Sequence, residues 1–252
     1  MTDELLQEQI DYYRARAIDY DDWWFRRGKF DLGDEHSRSW FAEIDRVRDA
    51  VDDFAPAGDV LELAAGTGNL TVDLVRHADR LTVVDASAET LAINRTKLGD
   101  DAARVEYIEA DVFTWAPRRH YDVVFFSFWL SHVPYDRFDD FWLVVDRALA
   151  PGGRVLFVDN AHPKLARDKG PRIELDLPID DGVAMGIDSV TDLVTGEARR
   201  RTADGREFRV VKVFWEPHEL EAQLAAIGWN IAVTPTEWAF FIGRGGRARS
   251  GS

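Results

Sequence analysis

Between residues 59 and 158 short apolar runs alternate with helical patterns, with only a short connection between the third run and the fourth. The runs cover 59–63, 81–85, 104–109, 121–126 and 154–158, and apolar residues at helical spacing fill 69–78, 88–97 and 138–149. Runs that are apolar on both faces, joined by helical crossovers, require a parallel sheet covered on each side. Local chemistry supports the boundaries. Ser87 is placed to cap the second of these helices, and Pro151-Gly152-Gly153 turns the third into the last strand. Ligands of such sheets sit at the carboxyl ends of the strands. Glu62, Asp85, Asp111 and Ser127 all stand at or just after those ends.

Before this core, Leu6, Ile10, Tyr13 and Ala17 mark one helix and Trp40, Phe41, Ile44, Val47 and Val51 a second, giving an N-terminal helical cap over 1–55. After it, residues 160–206 are polar, with hairpin signals at Thr195-Gly196 and Asp204-Gly205, and read as a lid-like insertion between the fifth and sixth strands. A strand over 207–215, a helix over 217–227 opened by Pro217 and closed by Gly228, and a strand pair around 229–242 complete a domain of 56–243. Residues 244–252 read as a disordered tail.

Composition narrows the partners. A formal charge of −15 argues against nucleic acid, whose binders carry a basic footprint. The basic clusters are Arg199-Arg200-Arg201 and the tail. No apolar run approaches the ~18 residues of a membrane helix, and MTDELLQEQID has no signal region, so a cytoplasmic location is expected. Without cysteine there is no disulfide, thiolate nucleophile or cysteine metal site, and no histidine-carboxylate spacing resembles a metal site. GxSxG and Walker patterns are absent.

The first strand runs into DVLELAAGTGNLT, residues 59–71. Gly66 and Gly68 let bare backbone approach a ligand. The second strand, LTVV, ends at Asp85, which can accept both hydroxyls of a ribose. Capping of the following helix is its alternative role. A dinucleotide fingerprint would need a third glycine where Thr71 stands. A ligand with one nucleoside and no phosphate fits better.

With these motifs in this order, the chain resembles the class I S-adenosylmethionine-dependent methyltransferases over roughly residues 10–243. The family's acid-x-Gly-x-Gly-x-Gly appears as Glu62-Leu63-Ala64-Ala65-Gly66-Thr67-Gly68, with alanine for the first glycine. The resemblance implies a Rossmann-like α/β fold: a seven-stranded, mostly parallel sheet with the cap and insertion described above. It implies S-adenosylmethionine as cofactor. Glu62 would order the loop and the methionine amine, and Ala64, Gly66, Thr67 and Gly68 would pass beneath the cofactor. Asp85 with Ala86 would hold the ribose, while Asp111 and Val112 would meet the adenine. In SFWLSHVP, Ser127 and Phe128 would line the methionine side, and Trp129 and His132 the acceptor side. Tyr13, Arg16 and Tyr20 of the cap would reach the cofactor carboxylate, and Trp23 and Trp24 would close over the site, Trp24 against the acceptor. These aromatics have packing of the cap as their alternative role. His132 is the candidate catalytic base, with a purely structural role as the alternative; His162 and His218 are weaker. The expected reaction is methyl transfer to an oxygen or nitrogen of a small organic molecule. A macromolecular acceptor, a non-catalytic cofactor-binding protein and, more distantly, a nicotinamide dehydrogenase are the alternatives. Oligomeric state is not legible.

Overall fold

The computed structural model of the protein describes residues 2–162, 165, 168–170, 191–192 and 196–248. Five strands come first, β1 (Asp59–Leu63), β2 (Arg80–Asp85), β3 (Val105–Glu109), β4 (Tyr121–Ser127) and β5 (Leu149–Asn160). They pair in parallel, and β9 (Trp229–Pro235) and β10 (Phe240–Arg247) add antiparallel at one edge. The order β3-β2-β1-β4-β5-β10-β9 is the Rossmann-like arrangement implied by the sequence. The order reverses between β1 and β4, which opens a crevice at their carboxyl ends.

Both faces of the sheet are buried, which is why the strands read as continuous apolar runs. One face packs Phe126, Phe157 and Val124 under α6 (Phe138–Ala148) and α7 (Pro217–Ala226). The Phe126 and Phe157 rings stack across β4 and β5, with centroids 5.0 Å apart. Gly243 of β10 lies beneath Phe157, where a Cβ would come within 2.0 Å of the ring. The other face packs Val60, Val83, Phe125 and Leu156 against α3 (Asp34–Phe54), α4 (Thr71–Leu74) and α5 (Ala88–Leu98). Ser87 caps α5, its Oγ accepting from the Thr90 N–H at 3.1 Å.

The cap starts with α1 (Asp3–Arg16), followed by a 3-10 turn, α2 (Tyr20–Trp24) and α3. A separate antiparallel sheet holds β6 (Thr191–Asp192), β7 (Glu197–Arg201) and β8 (Glu207–Val211). It docks on α1: the Val211 N–H donates to Gln9 Oε1 at 2.9 Å, the Arg209 N–H donates to Glu8, and Tyr12 packs with Val210 and Ala198.

Four expectations change. The helix expected over 69–78 shrinks to α4, because the turn after β1 uses the chain up to Leu70 and Asp79 must already bond back to Gly58. Residues 149–160 form one strand that carries Pro151-Gly152-Gly153 as an irregularity, not a turn before a strand at 154. The strand expected over 207–215 ends at Val211 and belongs to the small sheet, so the insertion reaches Glu216; the Lys212 N–H still donates to Gly196 O, and from Val213 the chain bonds to the turn after β4, Val213 N–H to Ser131 O at 2.8 Å. Residues 244–247 are strand, Arg247 pairing with Trp229, and of the expected tail 249–252 lie outside the described residues. So does much of the expected 160–206 lid, including Thr195 of its first hairpin signal.

Candidate active site

The cavity at the strand ends is built first from two turns. After β1 the chain passes Ala64 at φ +51° and reaches Gly66, whose N–H donates to Asp85 Oδ2 at 2.8 Å. Asp85 Oδ1 accepts from the Ser87 N–H at 2.9 Å and the Thr90 hydroxyl at 3.0 Å. Burial raises the Asp85 pKa while these donors oppose the rise. Gly68 packs on α5, where a Cβ would stand 2.7 Å from the Asn94 side chain. Phe128, just after β4, is held at φ +53°. Two non-glycine residues in this sparsely populated region, at the ends of adjacent strands, concentrate backbone strain at the crevice. Asp111 turns the chain after β3, its Oδ1 accepting from the Phe113 N–H at 3.0 Å.

The cap forms the roof. Gln9, Ile10 and Tyr13 of α1 and Tyr20 of α2 face Asp85, Asp111, Val112, Phe128, Trp129 and His132 across a cavity. A smaller cavity adjoins it between Trp24 and the Ala64–Leu70 turn. Asp21 fastens the roof to that turn. Its Oδ1 accepts from Thr67 Oγ1 at 2.5 Å and Asn69 Nδ2 at 3.0 Å, and its Oδ2 from Lys97 Nζ at 2.8 Å.

Three chain segments meet at His132. Its Nδ1 lies 2.6 Å from the Val211 carbonyl and its Nε2 2.7 Å from the Tyr13 hydroxyl. Gln9 bridges the same elements, donating to His132 O at 3.2 Å and accepting from the Val211 N–H. Burial, then the charges of Lys212, Arg200 and Arg16, push the His132 pKa well below the usual histidine value. Lys212 is itself buried; its Nζ donates to Ser131 Oγ at 2.8 Å and Asn160 Oδ1 at 2.7 Å, and burial lowers its pKa to about 8.

The structure brings Tyr13, Tyr20, Ala64, Gly66, Asp85, Ala86, Asp111, Val112, Ser127, Phe128, Trp129 and His132 to the main cavity, with Thr67 and Trp24 at the adjoining one. Glu62, Gly68 and Arg16 line neither. Glu62 turns beneath the loop, accepting from Thr71 Oγ1 at 2.7 Å, with its other oxygen unpartnered among the described residues. Burial lifts its pKa to about 8. Arg16 stacks over Tyr20 and donates to the Tyr12 hydroxyl. Sequence reasoning missed Gln9, Ile10, Ser87 and Thr90; the helical spacing of Ile10 with Tyr13 could have placed it on the inner face.

A family model described as a methyltransferase domain matches residues 60–153. The solved DhpI–SAH complex is 34% identical to this chain, covering 99% of it and 100% of that chain, with a TM-score of 0.74. This chain belongs to the class I S-adenosylmethionine-dependent methyltransferases. The DhpI–SAM–HEP complex is 36% identical to the methyltransferase, covering 97% of it and 98% of that chain at a TM-score of 0.71. A ubiquinone/menaquinone biosynthesis C-methyltransferase, UbiE, from Shewanella frigidimarina is 33% identical over 115 residues. That alignment takes in 43% of the methyltransferase and 45% of the relative, less than half of either. Among the described residues no helix of the methyltransferase is long and apolar enough to cross a membrane.

Proposed function

We propose that the protein moves a methyl group from S-adenosylmethionine to an oxygen or nitrogen of a small organic acceptor held beneath the cap. The observation that carries this reading is the roofed chamber: beyond the strand-end residues, Gln9, Tyr13, Trp129 and His132 line the same cavity, with α1 of the cap across its top. A polymer would need an open groove, and a net charge of −15 disfavours RNA or DNA further. The relative DhpI is solved as a complex with SAM and HEP. The UbiE relatives are C-methyltransferases, but their match spans too little of the chain to carry the acceptor across.

The residues present fit the cofactor. Asp85 presents a buried carboxylate to the cavity for ribose hydroxyls, with Ala86 beside it. Asp111 and Val112 offer a polar edge and an apolar face to adenine. Ala64, Gly66 and Thr67 leave backbone room, and Ser127 and Phe128 bound the methionine end. Glu62 orders the turn from below through Thr71 without facing the cavity, Gly68 seats it on α5, and Arg16 contributes charge from behind Tyr20. The rings of Tyr20, Phe128 and Trp129 suit a cationic ligand.

When bound, the cofactor supplies an electrophilic methyl on a sulfonium. The protein's part is to align the acceptor for in-line attack and to exclude water, a role for Gln9, Ile10 and Tyr13 of α1 and Tyr20 and Trp24 of α2. Trp24, Trp129 and His132 shape the acceptor side. His132 is a poor base as placed: both ring nitrogens are engaged, and its positive surroundings disfavour a second proton.

The deciding experiment incubates the protein with S-adenosylmethionine labelled on its methyl group and a cell extract. Label in the small-molecule fraction, on a product with one exchangeable hydrogen fewer than its precursor, is the expected result. An unchanged hydrogen count would move the reading to carbon, and label confined to protein or RNA would overturn the small acceptor.

A further inference from the structure

The two bonds of His132 determine what Tyr13 can offer a ligand. The Val211 carbonyl has no proton to give, so the 2.6 Å contact requires the hydrogen on Nδ1. In the neutral ring Nε2 is then a bare lone pair, and the contact at 2.7 Å requires Tyr13 to spend its only proton there. The Tyr13 oxygen retains lone pairs and no hydrogen, and Tyr13 lines the chamber beside Gln9, Ile10 and Trp129.

We propose that Tyr13 faces the chamber as an obligate hydrogen-bond acceptor, fixed in that state by His132, and thereby selects a methyl acceptor that carries an O–H or N–H donor. Tyr13 is the specificity residue and His132 a positioning residue that acts through it. An acceptor whose O–H or N–H points at Tyr13 has its nucleophilic lone pair oriented by that bond, whereas a carbonyl or an already methylated oxygen would meet lone pair with lone pair. Methyl transfer would form the acceptor's O–C or N–C bond as the sulfonium S–C bond broke with its electron pair returning to sulfur, the acceptor's proton passing to solvent, so a hydroxyl acceptor would leave without the hydrogen that Tyr13 requires. This rests on the small-acceptor reading above.

The surroundings hold the arrangement. The charged groups facing the imidazole are Arg16 of α1, Arg200 of β7 and Lys212 after β8, with Asp159 of β5 acting on Lys212. Tyr13 in turn faces Tyr12, Tyr20, Arg16 and Arg200. Burial first, and then the positive neighbours, keep a second proton off His132 through the neutral range. Acidification would turn Nε2 into a donor, and the Tyr13 hydrogen would swing to the chamber.

The test has two independent arms on the full-length protein. With histidine labelled by nitrogen-15, the resonances lost in His132→Asn should report a neutral ring protonated on Nδ1 from pH 6 to 8. A ring protonated on Nε2 overturns the assignment whether or not methyl transfer is seen. In the labelled-methyl assay, rate is followed against extract dilution. Tyr13→Phe and His132→Asn should need about three- to tenfold more extract for half-maximal rate, the size of one neutral hydrogen bond. His132→Gln, whose amide oxygen can take the Tyr13 proton, should recover most of that loss, while S-adenosylhomocysteine affinity stays within about twofold in the two His132 variants. Label transfer by Tyr13→Phe at the wild-type dilution overturns Tyr13 as the selector and leaves the small-acceptor reading intact. No label with the wild type overturns that reading, and the imidazole spectrum still decides the state of Tyr13.

Discussion

Removing the Asp21 carboxylate should loosen the roof without unfolding the sheet. Asp21 gathers three donors from two other elements, Thr67 and Asn69 of the turn after β1 and Lys97 of α5. Bonds to a charged acceptor contribute roughly 1.5–3 kcal/mol each in good geometry. Asp21 and Lys97 retain 22% and 21% side-chain exposure, so water recovers part of this on opening. A net loss of about 2–3 kcal/mol in cap docking is the working figure for Asp21→Ala. At 1.4 kcal/mol per tenfold, the closed-to-open ratio falls by about 30- to 150-fold. Hydrogen exchange of amides in α1 and α2 should speed up by that factor while amides of β1 and β4 keep their protection. Release of S-adenosylhomocysteine, read from tryptophan fluorescence near Trp23 and Trp24, should speed up in step. Asp22→Ala is the control, since its side chain makes no such bonds among the described residues. Unchanged cap exchange in Asp21→Ala would refute the idea that this carboxylate holds the roof.

Glu62 gives a pH signature. Its pKa rises from an ordinary 4.5 to about 8 through burial, so the folded state keeps a proton that the unfolded chain loses across that window. Stability should fall as pH climbs from 4.5 to 8, and Glu62→Gln should flatten that slope in denaturant titrations. Ala64→Gly should raise the melting temperature slightly, by relieving about 0.5–1 kcal/mol of left-handed backbone strain; a lower melting temperature would mean that the alanine methyl matters more than its φ. Glu43 of α3 is fully buried and accepts the N–H groups of Trp238 and Ala239 at 3.1 and 2.8 Å, along with the Thr236 hydroxyl. Glu43→Ala should cost about 3–5 kcal/mol in urea unfolding, because it strips the partners of a buried turn.

The parallel half of the fold was legible because its strands are buried on both faces and the return from β2 is marked by the cap Ser87. The cavity-lining residues at the strand ends were legible for a related reason: Gly66, Asp85, Asp111 and Ser127 follow strand ends whose positions the apolar runs already define. The second half resisted. EFRVV reads as a strand, but whether Val210 packs on the central sheet or on Tyr12 of α1 is decided by contacts some two hundred residues apart. Asp21, Gln9 and Lys212 were passed over for the same cause. Each is an ordinary polar residue in its own segment and acquires a role only when a distant donor or acceptor arrives.

The anchoring of His132 has a consequence for how this pocket tolerates change. His132 Nδ1 and Gln9 both bond to the main chain of Val211, and Gln9 bonds as well to the main chain of His132. A carbonyl and an amide are supplied by almost any residue, so the hold on the imidazole does not depend on which side chain stands at position 211, and an exchange there that keeps the apolar packing leaves the Tyr13–His132 register in place. A proline at position 211, which has no amide hydrogen to give Gln9, is the substitution this freedom does not extend to.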